Sequence, residues 1–75
     1  MIMEICNNIK TGQTFLYLEE EDSQRGLMIT PNGTVKSLEM DLFTEPHEVE
    51  QVDALLDQGK ITDAQLQIYD QYRQT

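Results

Sequence analysis

Seventy-five residues with fourteen acids and five bases carry a formal charge of -9, which repels phosphate backbones and anionic lipid surfaces, so direct nucleic-acid binding and membrane attachment are disfavoured. A chain this short holds one core that only just offsets the entropy of ordering it, and leaves little room for an enclosed ligand cavity. With Cys6 the only cysteine and His47 the only histidine, neither an intrachain disulfide nor a Cys/His zinc set is available; a reducing, cytoplasmic setting without a cofactor is expected.

The start of the chain has neither a basic leader nor a long apolar run, and no later stretch reaches the length of a membrane span. From residue 1 to about residue 40 the apolar residues alternate or come in short bursts rich in β-formers. A first strand is expected over residues 2–9, turning at Lys10-Thr11-Gly12-Gln13, where Gly12 supplies the positive φ of a tight hairpin. Thr14-Phe15-Leu16-Tyr17-Leu18-Glu19 follows with apolar groups on both faces, so this strand is central or its second face is covered. Glu20 to Arg25 reads as a solvated loop, because the adjacent acids Glu19, Glu20, Glu21 and Asp22 repel one another. Strands over 26–30 and 34–39 flank Pro31-Asn32-Gly33, whose residues suit successive corners of a hairpin turn.

After Asp41-Leu42-Phe43, a helix is expected from about residue 45, capped by Thr44 or Glu45 and with Pro46 in its first turn. Val49, Val52, Leu55 and Leu56 lie at helical spacing and form its apolar stripe. The stretch Gln58-Gly59-Lys60-Ile61-Thr62-Asp63-Ala64-Gln65 then writes a helix stop and a helix start. Gly59 suits the left-handed residue that ends one helix; Thr62 and Gln65 have capping-box spacing, and Ile61 and Leu66 staple positions, for the next. That second helix is expected to bury Leu66, Tyr69 and Tyr72, with Ala64, Ile68 or both at the margin. The fold expected is α+β: one domain over residues 1–75, a three- or four-stranded antiparallel β-meander over 1–40 and a helical hairpin over 45–74.

Candidate chemistry is sparse. On a helix, His47 shares a face with Glu50 alone among its acidic neighbours, too few ligands for a metal site. Cys6 in a strand reads as a small buried apolar residue without a base beside it. The acids from Glu19 to Asp22 lack the alternating ligands and central glycine of a calcium loop, and each glycine stands alone at a turn rather than in a phosphate-binding loop.

The segment from Val49 to Tyr72, above all Leu55-Leu56-Asp57-Gln58-Gly59-Lys60-Ile61-Thr62-Asp63-Ala64-Gln65-Leu66, resembles the short C-terminal two-helix domain of many bacterial proteins. That resemblance implies oligomerisation or attachment without catalysis; Tyr69 and Tyr72 depart from the family's lysine-rich second helix. The whole chain is similar to small cyanobacterial proteins of like length, which implies a bacterial, cytoplasmic protein.

Two helices cover one face of a small sheet, so large apolar groups on the other face need a curled sheet or another chain. The expected function is accordingly a non-enzymatic protein–protein interaction or adaptor module. Its partner surface would comprise Phe15, Leu16, Tyr17, Leu18, Glu19, Glu20, Glu21 and Asp22, extending to Leu27–Ile29, with another protein or a second copy of the chain as occupant. The alternative is an acidic inhibitor or nucleic-acid mimic that blocks a basic site through Glu19 to Asp22, Asp41, Glu45 and Glu48.

Overall fold

The computed structural model describes residues 3–73. Strands β1 (Met3–Asn7), β2 (Thr14–Glu20), β3 (Arg25–Ile29) and β4 (Val35–Glu39) run in succession, followed by a 3-10 turn (Met40–Leu42), a short β5 (His47–Val49), and helices α1 (Val52–Asp57) and α2 (Asp63–Arg73). All strands join one antiparallel sheet of order β4-β3-β2-β1-β5. The class is α+β as expected, but with five strands rather than three or four. Residue 2 of the expected first strand and residue 74 of the expected hairpin lie outside the described residues.

The fifth strand displaces the start of the expected first helix. With β2 on one side, β1 leaves a second edge of backbone N–H and C=O groups in need of partners. Residues 47–49 supply them, in the register Met3↔Val49, Glu4↔Glu48 and Ile5↔His47. Pro46 ends the preceding segment instead of opening a helix, since it has no N–H for a ladder. Helix α1 therefore begins only at Val52, six residues long and without a side-chain cap at Gln51. Val49 still packs against the core beside Val52, Leu55 and Leu56; the apolar positions serve from a strand and a helix instead of from one helix.

The local signals at the turns hold. Gly12, Gly33 and Gly59 all have positive φ. At Gly33 a second constraint applies, because a Cβ there would lie 3.1 Å from the Cβ of Ala64 and 3.2 Å from its carbonyl oxygen. The hairpin tip is thus the seat of α2. In the β2–β3 loop Asp22 is more than solvated: its Oδ1 accepts hydrogen bonds from the N–H groups of Gln24 at 2.8 Å and Arg25 at 2.9 Å, an Asx turn that aims β3.

The helix junction is complete in its hydrogen bonds. Gly59 N–H donates to Leu56 O and Lys60 N–H to Leu55 O, each at 3.0 Å, the paired bonds of a Schellman stop. Gln65 N–H donates to Thr62 Oγ1 at 3.2 Å and Thr62 N–H to Gln65 Oε1 at 2.9 Å, the reciprocal bonds of a capping box. Each capping residue is also tied to the sheet. Thr62 Oγ1 donates to Pro31 O at 2.7 Å, and the fully buried Gln65 donates from Nε2 to Thr14 O at 3.0 Å and Ile29 O at 3.2 Å.

Strand alternation sorts the core into two clusters. Met3, Ile5, Leu16 and Ile29 meet Ile61 and Tyr69 on the helix side. Cys6, Phe15, Met28 and Phe43 form the other side, with Tyr17, Leu38 and Met40 against them. Phe43 reaches this second side because the sheet curls. Glu39 ends β4 opposite Arg25, whereas Phe43, four residues later, is bridged to Asn8 beyond the far end of β1. In a flat sheet Phe43, which lies on the β5 side of β1, would stand four strand spacings from Glu39, about 19 Å, and apart by the strand length as well, about 16 Å. Four residues span at most about 14 Å, and the 3-10 turn shortens even that. The second face is therefore concave, and it is closed by the chain's own Phe43 rather than by another protein.

This geometry separates two neighbouring residues. Leu16 is fully buried beneath the helices and Tyr17 is half-buried on the concave side. Leu16→Glu buries an unpaired carboxylate and is expected to abolish folding, at about 4 kcal/mol or more. Tyr17→Glu is expected to cost about 1–2 kcal/mol and to keep a native circular dichroism spectrum. Equal melting curves for the two variants would contradict the assignment of faces.

Candidate functional site

The rim of the concave side leaves a groove of about 570 Å³ between the β2–β3 loop and the segment that follows β4. Tyr17, Met40, Phe43 and Pro46 give it an apolar floor, and Glu20, Asp41 and Glu45 supply carboxylates, with Ser23 and Thr44 between them. The groove depends on a glycine. At Gly26, on β3, an added Cβ would stand 2.7 Å from Met40 Sδ and 2.8 Å from Tyr17 Cε1, so the absent side chain makes room for both groups against the strand. Partial burial pushes the Tyr17 phenol pKa up, and the carboxylates of Glu20 and Glu4 push it further. The floor thus sits in a negative potential.

The sequence-predicted surface residues disperse. Phe15 packs edge-on to Phe43, with ring centroids 4.8 Å apart, and is buried together with Leu16, so neither presents a side chain to a partner in the folded chain. Leu18 is the extra residue of a bulge, since Tyr17 pairs with Met28 and Glu19 with Leu27, and it packs on the helix-side cluster. Leu27 is half-buried, and Met28 and Ile29 are buried. Glu19 to Asp22 are exposed but differently employed. The Glu19 carboxylate accepts a hydrogen bond from the Tyr72 phenol and holds its pKa above the usual range. Glu21 Oε2 accepts from Ser37 Oγ at 2.6 Å, and Asp22 shapes the turn. Only Tyr17 and Glu20 of the expected surface reach the groove. Met40, Phe43 and Pro46 line it as well, and Gly26, expected at a turn, lies inside β3 instead, where a close approach excludes a side chain.

The two residues weighed for chemistry are kept apart. His47 pairs with Ile5, which puts its side chain on the face opposite that of Cys6, and its Nδ1 lies 3.4 Å from Glu45 O. Cys6 is fully buried and its Sγ contacts Met28 Sδ at 3.5 Å. Among the described residues no three His, Cys, Asp or Glu side chains are grouped to hold a metal ion, and no helix is long and apolar enough to cross a membrane.

Burial pushes the Cys6 thiol from 9.0 to about 11, which gives the fold an alkaline limit. The native state holds this proton more tightly than the unfolded chain, so the stabilisation is complete below pH 9 and is lost as the pH rises towards 11. Two units correspond to about 3 kcal/mol. Denaturant unfolding between pH 8 and 11 is expected to show that decline, and Cys6→Ala to flatten it; parallel slopes for parent and variant would refute the assignment.

No family model, curated protein or solved structure matches the chain.

Proposed function

We propose that this chain is a non-enzymatic protein-interaction module, and that its partner docks at the rim of the concave sheet. The observation that supports this most is the groove over Tyr17, Met40 and Phe43. Here the half-buried Tyr17 and Met40 keep part of their apolar surface accessible on the concave side, bordered by the carboxylates of Glu20, Asp41 and Glu45. Interfaces of this kind combine an apolar centre with a polar rim. Self-association is the less favoured occupancy, because a second copy would bring another charge of -9 to the same acids.

A second reading draws on the carboxylates alone. Glu20, Asp41 and Glu45 converge on one rim, with Glu48 and Glu4 opposite one another on β5 and β1, a distribution that also suits an acidic inhibitor covering a basic site on another protein. Salt separates the two readings. Captured from the source cell on the intact chain, a partner held by the groove persists at about 0.5 M salt and is lost when Gly26→Ala disturbs the floor. A partner held by charge mimicry dissociates in salt, where exposed charges are screened beyond about 4 Å, and ignores the floor variant. Capture that is unaffected by both treatments would contradict both readings.

A further inference from the structure

We infer that the groove takes a lysine or arginine side chain carried by a peptide segment of the partner protein, with its stem on Tyr17, Met40 and Phe43 and its cationic head among Glu20, Asp41 and Glu45. The inference rests on the docking reading above and specifies its occupant. Three properties of the groove support it. Its borders are acidic, and none of the chain's five basic residues lines it, so the carboxylates are not neutralised from within. Its floor is apolar and partly aromatic, which suits the amphipathic build of these two side chains: the methylene stem lies on hydrocarbon and the ring face of Tyr17 attracts the cation. Its volume, about 570 Å³, falls in the range of sites that hold a ligand of several groups. A basic side chain together with an apolar neighbour on the same segment would fill it, whereas a lone amine would leave the floor wet. Phosphate-bearing ligands meet the wrong sign of charge throughout.

The test is an amide chemical-shift titration of the full chain with a capped heptapeptide bearing one central arginine between leucines and alanines. The control is the same peptide with neutral citrulline, and spermidine is the small-cation arm. The arginine peptide is expected to shift the amides of Tyr17, Gly26, Met40 and Phe43, and to bind about tenfold more tightly than the citrulline peptide at low salt, each exposed ion pair contributing about two- to fivefold. That ratio should fall towards one in high salt. The combined variant Glu20→Gln, Asp41→Asn, Glu45→Gln should bind both peptides alike, and Gly26→Ala should weaken both. Equal binding of the two peptides at these amides would overturn the cation while leaving the docking surface. Spermidine as effective as the arginine peptide would overturn the peptide occupant. Absence of shifts at these amides with either peptide would overturn the inference and the docking surface together.

Discussion

Gln65→Glu is expected to unfold the domain or bring it to the edge of unfolding at neutral pH. The side chain is fully buried and makes three hydrogen bonds, one through Oε1 within the capping box and two through Nε2, to the carbonyls of Thr14 and Ile29. An isosteric carboxylate keeps the first bond but turns an oxygen toward two carbonyl oxygens and buries an uncompensated charge. Loss of one partner of a buried polar network on these terms costs about 3–5 kcal/mol. Gln65→Leu, which removes the bonds without adding charge, is expected to cost less, about 2–3 kcal/mol. The sign of the pH effect follows from the burial. In the folded state the introduced carboxyl has a pKa raised above its unfolded value of about 4.3, so its destabilisation is full above the folded pKa and shrinks as the pH falls through it. Urea unfolding at pH 8 and pH 4 checks this. A gap between parent and variant that stays constant with pH, or a milder effect than Gln65→Leu at pH 8, would mean that the side chain is not tied to the sheet as described.

The second large effect is expected at Phe43. This residue is 7% exposed and fills the concave side of the sheet against Cys6, Phe15 and Met28. Phe43→Ala should cost about 3–5 kcal/mol through lost burial and the cavity left behind. A domain of this size holds on the order of 4–11 kcal/mol in total, so the variant should be folded only marginally at ambient temperature. A second readout distinguishes closure of the concave side from general weakening. The Cys6 thiol has no exposure behind this wall, and its reaction with a thiol reagent under native conditions should accelerate far more in Phe43→Ala than in a helix-side variant of equal stability, such as Ile61→Val combined with Leu66→Ala. Similar rates in the two variants would show that Phe43 does not close that side.

What the sequence makes legible here is what neighbouring residues decide among themselves. Gly59 with Lys60, and Thr62 with Gln65, form their hydrogen bonds within a few residues of each other, so residue type and spacing suffice. Gly12 and Gly33 likewise answer to the backbone conformation of their own turns. The remainder was hidden because it depends on partners far along the chain. Glu45-Pro46-His47-Glu48-Val49 has a helical stripe when read with Val52 and Leu55, and the open edge of β1, more than forty residues earlier, converts it to a strand. The spacing of Gln65 announces its cap but not the two carbonyls it reaches on β2 and β3.

The candidate site was visible only in part for the same reason. Alternation in β2 correctly places large apolar groups on both of its faces, and the sequence leaves two ways to cover the second: curling or another chain. The short path from Glu39 to Phe43 decides for curling, and no periodicity carries that information. Of the residues that the sequence assigns to the partner surface, Tyr17 and Glu20 line the groove, whereas Phe15 and Leu16, which the same alternation exposes, are core. The proposed docking site consequently moves from the open face of a flat sheet to the rim of a curled one.

Hydrogen–deuterium exchange of the intact chain, alone and in complex with its captured partner, tests the central claim most directly. Docking at the concave rim predicts added protection at residues 17–20 and 40–45, with the outer surfaces of α1 and α2 unchanged. Protection confined to the helices, with residues 17–20 and 40–45 exchanging as in the free chain, would contradict it.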